Sequence, residues 1–201
     1  ELKDRCRENL LPYTVRAFSL LPKMESPTIA DIGCGTGVPT LELARLSDGM
    51  IYAVDTDNRS LGRLRAEMDR LGFRDRIRII NGSIDSPELP ANGIDILWAE
   101  GLFNVIGFEK GISASHVLLK TGGFLVIHDE IAEENEKRTA IEKYGFSLMD
   151  SFVLNSEVWW DRYYSCLEKG IVSLSPAEYD KYGIEAALME IGNFRKKPGQ
   201  F

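Results

Sequence analysis

The chain has 201 residues, 44% hydrophobic and 27% charged, with 18 Gly and 8 Pro spread through it. This balance excludes disordered, collagen-like and low-complexity classes and favours one globular domain. Acidic residues number 31 against 24 Lys and Arg, a formal charge of −7 that opposes a polyanion and disfavours nucleic acid as a partner.

Short β-branched runs alternate with longer amphipathic ones, the pattern of an α/β protein. A first helix is predicted over Arg7–Leu21, where Leu11, Val15 and Phe18 share a face and Pro22 and Pro27 end it. Thr28–Ile32 reads as a buried strand, Gly33–Gly37 as a tight turn, and Val38–Leu46 as a helix with Pro39 in its first turn. Met50–Val54 is the second strand. The helix Arg59–Leu71 follows, with Leu61, Leu64, Met68 and Leu71 on one face and Gly72 as its stop. Ile77–Ile80 and Ile94–Trp98 are the third and fourth strands, separated by turn residues. A helix over Glu109–Leu119, a turn at Thr121-Gly122-Gly123, a strand Phe124–His128, a helix Glu133–Tyr144 and a sixth strand Phe146–Leu154 complete the alternation. Beyond Trp159 the pattern is aromatic and polar helix, with Ser175-Pro176-Ala177-Glu178 as a helix start.

The expected architecture is a doubly wound, mostly parallel sheet with helices on both faces. Residues 28–154 would form its core, 1–27 a helical cover and 155–201 a helical C-terminal segment, all within one domain. No apolar run approaches the roughly 20 residues that span a bilayer, and no charged-then-apolar segment opens the chain, so a cytoplasmic protein without a membrane partner is expected. Cys6, Cys34 and Cys166 are odd in number and scattered, and only His116 and His128 could join them as ligands. Neither a disulfide framework nor a metal site is expected.

The sharpest local signal is Asp31-Ile32-Gly33-Cys34-Gly35-Thr36-Gly37, placed between a strand and a helix. Glycines at alternate positions let the backbone turn tightly and let a nucleotide-like ligand lie against main-chain atoms. Asp55 stands 22 residues past Gly33 at the end of the second strand, the spacing at which an acid accepts hydrogen bonds from ribose hydroxyls. The dinucleotide pattern G-x-G-x-x-G would need glycine at position 38, which is Val38, and Asp31 would repel a pyrophosphate. An NAD-type oxidoreductase is therefore disfavoured. S-adenosylmethionine carries a sulfonium and an ammonium, and an acid beside the turn favours that cationic end.

These residues resemble the class I S-adenosylmethionine-dependent methyltransferases, whose first motif commonly reads as Asp31–Gly37 does. Val54-Asp55 resembles the second motif, with Asp55 matching the ribose acid and Thr56 the residue against the adenine. Gly82-Ser83-Ile84-Asp85 resembles the third, where Ser83 or Asp85 meets the adenine amine and a backbone amide meets the ring. The segment from Asp95 through Trp98, Glu100 and Phe103 to Gly111 is similar to a bacterial and archaeal subgroup of small-molecule type. The resemblance covers Leu10–Leu154 and implies a Rossmann-like fold, S-adenosylmethionine as methyl donor, S-adenosylhomocysteine as product and a small-molecule acceptor. The family's usual seventh strand is not visible in the sequence. A domain that binds the cofactor without catalysis stays open as an alternative.

Methyl transfer from a sulfonium needs alignment and dryness more than a dedicated acid or base. Where the acceptor must lose a proton, the candidate bases follow the strand ends: Glu100 after the fourth strand, His128 and Asp129 after the fifth. Glu100 is also a candidate for positioning the methionine portion. Tyr13, the Phe103–Phe108 segment, Trp159, Trp160, Tyr163 and Tyr164 are candidate covers for the acceptor. Arg63, Arg65, Arg70, Arg74, Arg76 and Arg78 alternate with acids and read as a solvated face.

Overall fold

The first β-strand, Ile29–Ile32 (β1), is buried at all four positions, as a strand covered on both faces requires. The computed structural model describes residues 2–86, 88–174 and 184–198. In them β1 is followed by Val38–Leu46 (α3), Ile51–Asp55 (β2), Asn58–Leu71 (α4), Ile77–Asn81 (β3), Ile94–Glu100 (β4), Phe103–Ile106 (α5), Phe108–Leu118 (α6), Leu119–His128 (β5) and Glu134–Lys143 (α7). Leu2–Glu8 (α1) and Leu11–Ser19 (α2) precede β1. Ser156–Trp159 (α8), a π-helical turn at Trp160–Tyr164, Ser165–Val172 (α9) and Ile184–Lys196 (α10) follow α7.

The five strands form one all-parallel sheet in the order β3-β2-β1-β4-β5. Alternation along the strands sorts their side chains to two cores. Ile29, Ile51, Ala53, Ile96 and Trp98 pack with residues of α2, α3 and α4. Ala30, Ile32, Val54, Leu97 and Ala99 pack with residues of α5, α6 and α7 on the opposite face. This is the doubly wound, Rossmann-like architecture expected from the sequence. A register shift between Ile94 and Ile96 explains why Ile94 joins the second core although it is two residues from Ile96.

Two compact units divide the chain. The larger, residues 13–129 and 133–150, holds the sheet; the smaller comprises the described residues of 1–12, 130–132 and 151–201. The smaller unit has its own core of Leu2, Cys6, Tyr163, Tyr164, Leu167, Ile171, Ile184, Ala187, Ile191 and Phe194, with Tyr164 stacked on Phe194 at 4.1 Å between ring centroids.

Three expectations are corrected. The predicted helix Arg7–Leu21 is two helices with a turn at Asn9 and Leu10, because Pro12 has no N–H to continue the ladder and is tolerated only in the first turn of a new helix. Phe146–Leu154 is not a strand and pairs with none of the described strands. Leu148, Met149 and Val153 are 49–66% exposed, so the run lacks the buried face its apolar residues suggested. Cys6 and Cys166 form a disulfide across 160 residues, with Cα atoms 5.6 Å apart, joining α1 to α9. Sequence spacing carried no sign of it because the contact is made by tertiary packing.

Smaller differences concern element ends. Thr121-Gly122-Gly123 lies inside β5, where Gly122 has a φ of +79° and the ladder to β4 is irregular. The helix start proposed at Ser175-Pro176-Ala177-Glu178 falls outside the described residues. Asp57 caps α4 by accepting from the Arg59 and Ser60 N–H groups, and Gly72 ends it with a φ of +77°.

Candidate cofactor and active site

The strands run parallel, so all their carboxyl ends lie at one edge. Register places Asp55 beside Asn81 and Glu100 beside His128, with Gly33 one residue past the Ile32–Val54 pair. Asp31, Asp55 and Glu100 have the same alternation as Ile29, Ala53 and Trp98, so the three carboxylates share the face covered by α2, α3 and α4.

The glycine turn is stitched onto β2 by its backbone. The Gly33 and Cys34 N–H groups both donate to the Val54 carbonyl, at 2.8 and 3.0 Å, and Gly37 N–H closes the turn on the Cys34 carbonyl at 2.9 Å. Gly33, Gly35 and Gly37 have φ of +74°, +54° and +84°, the left-handed region that side chains resist. A Cβ on Gly33 would come within 3.1 Å of Leu102 Cδ1, and one on Gly37 would overlap Leu64. The turn therefore needs bare backbone both for its shape and for its packing.

Asp55 ties this turn to the end of β2. Its Oδ2 accepts from Gly35 N–H at 2.7 Å and its Oδ1 from Asp57 N–H at 2.8 Å, so both oxygens are oriented toward the loops where a ligand would approach. Asn81 steadies the neighbouring turn by donating from Nδ2 to the Asp55 and Thr56 carbonyls at 3.2 and 3.1 Å. Thr56 is thus held at the edge beside Asp55.

Asp31 is only 2% exposed. Thr40 of α3 donates its hydroxyl to Asp31 Oδ2 at 2.5 Å. Burial pushes the Asp31 carboxyl up to about 7; the Thr40 hydrogen bond opposes this, and the charges of Glu100 and Asp55 reinforce it. Cys34 is buried, and burial together with Asp31 and Asp55 pushes its thiol well up, so it is a neutral packing group rather than a nucleophile.

Glu100 is held from two sides. Its Oε1 accepts from the Trp98 indole Nε1 at 2.8 Å and from the Thr14 hydroxyl of α2 at 3.0 Å. Trp98 is fully buried and Thr14 nearly so, which makes this carboxylate a fixed feature of the edge. The Trp98–Glu100 contact follows from residues two apart sharing a strand face; the partners Thr14 and Thr40 carried no such signal.

The remaining candidates separate. Ser83 and Asp85 lie on an exposed turn in which Ser83 Oγ accepts from Asp85 N–H at 3.3 Å, and Asp85 pairs with Lys110 at 3.7 Å. The Ile84 side chain is buried in the second core, which leaves only its backbone for a ligand. Asp129 is almost enclosed and ion-paired with Lys137 at 3.3 Å, while His128 occupies the edge next to Glu100. Phe103 is fully buried rather than part of a loop cover, and Tyr163 and Tyr164 belong to the core of the smaller unit. Arg76 donates to the carbonyls of Ala44, Ser47 and Gly49, so that arginine closes the end of α3.

Among the described residues no group of three or more His, Cys, Asp or Glu could hold a metal ion. The edge instead combines a glycine-rich turn with three carboxylates, acceptors that suit ribose hydroxyls and a cation and would repel a pyrophosphate. The donor group of the methyltransferases fits this set.

Comparison with known proteins agrees. The methyltransferase-domain family pattern matches residues 29–123. A probable cobalt-precorrin-6B C(15)-methyltransferase (decarboxylating) of Saccharolobus solfataricus is 30% identical over 149 residues, 70% of this chain and 74% of that protein. A sterol 24-C-methyltransferase of Pneumocystis carinii is 22% identical over 139 residues, 67% of this chain but only 37% of that protein's length. In structure, the [4+2]-cyclase SpnF superposes with a TM-score of 0.79 at 17% identity, over 94% of this chain and 77% of that one, a likeness of fold. Nothing among these relatives supports an oxidoreductase. By its identity to the precorrin enzyme across most of that enzyme's length, and by the family match over 29–123 that takes in the glycine turn, Asp31, Asp55 and Glu100, this chain belongs to the class I methyltransferases, which use S-adenosylmethionine.

Proposed function

We propose that the protein transfers the methyl group of S-adenosylmethionine to a small-molecule acceptor and releases S-adenosylhomocysteine. The observation that carries this reading is the convergence of Asp31, Asp55 and Glu100 beside the glycine-rich turn Gly33–Gly37. When bound, the cofactor supplies a sulfonium methyl that is open to in-line displacement. The protein's part is to bind, orient and exclude water.

Gly33, Cys34, Gly35, Thr36 and Gly37 offer main-chain contacts, and Asp55 with Thr56 holds the nucleoside. Ser83, the Ile84 backbone and Asp85 flank the base. Glu100, fixed by Trp98 and Thr14, and Asp31 behind it face the cationic end. For an acceptor that must lose a proton, His128 beside Glu100 is the favoured base; Asp129, already paired with Lys137, is the weaker candidate.

The net charge of −7 supports a small acceptor over a polyanion, and the relatives named for precorrin and sterol methylation point the same way. Among the described residues no helix is long and apolar enough to cross a membrane. A cytoplasmic setting would keep thiols reduced, so the Cys6–Cys166 disulfide weighs against it, and finding that bond formed in cells would overturn that setting.

Calorimetric titration with S-adenosylhomocysteine and, separately, with NAD tests the site; binding of the first alone is expected, and its absence overturns the proposal. Incubation with methyl-labelled cofactor and a metabolite library tests the reaction. Label is expected on a small molecule, and label found only on protein or nucleic acid refutes the acceptor class.

A further inference from the structure

Among the described residues, the groups that act on Asp31 are the Thr40 hydroxyl and the carboxylates of Glu100 and Asp55. Toward it face Thr40 from α3, Asp55 from β2, Glu100 from β4 and the neutral Cys34 from the glycine turn; His128 of β5 stands on the far side of Glu100 in the register. Three carboxylates crowded at one strand edge, one of them almost without solvent, are strongly unfavourable when all are ionised. Protonating the most buried of the three relieves that repulsion at the smallest loss of hydration, and the neutral acid keeps its contact with Thr40.

Resting on the function proposed above, we infer that Asp31, Asp55 and Glu100 hold one proton at Asp31 until a cation enters, so that S-adenosylmethionine binds in exchange for that proton. The site thereby selects its ligand by charge: a sulfonium or ammonium replaces the proton, whereas an uncharged nucleoside leaves it in place. Burial and the two neighbouring acids raise the Asp31 carboxyl to about 7 in the ligand-free protein, and the charge of a bound cation acts in the opposite direction, favouring the carboxylate. The sign follows. Below that value the free protein carries the proton and must lose it to bind; above it, there is none to lose. Affinity for a cation therefore rises as pH climbs toward 7 and then levels.

With full ionisation in the complex, a free-state value of about 7 gives release of about 0.9 proton at pH 6 and about 0.5 at pH 7, with binding about fivefold tighter at pH 7. The window ends at pH 7 because free α-amino groups themselves titrate near about 7.7 to 8.0. The experiment is calorimetry of S-adenosylmethionine binding to the full chain at pH 6 and pH 7, in buffers of different ionisation enthalpy, beside the uncharged probe 5′-methylthioadenosine. Proton release with S-adenosylmethionine, none with the uncharged probe, and loss of release in Asp31→Asn are expected.

Thr40→Val removes the hydrogen bond that favours the charged carboxylate and should displace the affinity rise to higher pH, a readout that survives if Asp31→Asn does not fold. Binding of S-adenosylmethionine without proton release, equal release with both ligands, or an unchanged profile in Thr40→Val overturns the inference while the function stands. No binding of S-adenosylmethionine at either pH overturns both.

Discussion

Replacing Asp55 with alanine removes a carboxylate whose two oxygens accept from the Gly35 and Asp57 N–H groups at 2.7 and 2.8 Å. It tests the link between the glycine turn and the ligand. Each oxygen has further lone-pair capacity, so ribose hydroxyls would share a charged acceptor already aimed by the backbone. A charge-assisted hydrogen bond is worth about 1.5 to 3 kcal/mol, and at about 1.4 kcal/mol per decade its loss weakens binding roughly 10- to 150-fold. The side chain is partly solvated, so water can satisfy the two freed N–H groups and the stability loss should be smaller than the loss of affinity. The assay is calorimetry with S-adenosylhomocysteine on the wild type and on Asp55→Ala, with circular dichroism confirming the fold. Asp69→Ala, which removes only an exposed partner of Arg74, is the control and should shift Kd by less than about twofold. An Asp55→Ala protein that is folded and binds within about twofold of wild type refutes the ribose assignment.

Two further perturbations address the scaffold. Gly37→Ala forces a side chain into a φ of +84° and against Leu64, so about 2 to 5 kcal/mol of stability should be lost. Gly62→Ala on α4, where a Cβ meets nothing within 4 Å, should instead gain about 0.4 to 1 kcal/mol; thermal melts showing equal shifts would contradict the packing described at the turn. The Cys6–Cys166 bond predicts one titratable thiol per chain, that of Cys34, in unreduced denatured protein, whereas three thiols would refute it. Cys166→Ser should lower stability by about 2 to 5 kcal/mol.

Local and short-range features were legible. The glycine turn, the α4 boundaries and the short apolar runs of the first four strands depend on backbone sterics and on residues a few positions apart. The predicted fourth strand stops at Trp98, and only its observed extension to Glu100 puts the two on one strand face, where they hydrogen-bond. The Asp31–Gly37 turn and Asp55, separated by a fixed crossover, marked the edge proposed for the cofactor for the same reason: one βαβ unit sets their distance.

The tertiary structure decided what depends on which distant elements meet. Phe146–Leu154 has the composition of a strand, but a strand needs a neighbour's hydrogen bonds and a covered face, and neither is encoded in the segment. The Cys6–Cys166 bond, the grip of Thr14 on Glu100 and that of Thr40 on Asp31 all arise where helices dock on other elements. From sequence alone Asp31 is an acid near a turn; only its enclosure between α3 and two other carboxylates pushes its carboxyl far above the usual carboxylate range. Burial and through-space charge set that property, and both are collective consequences of packing.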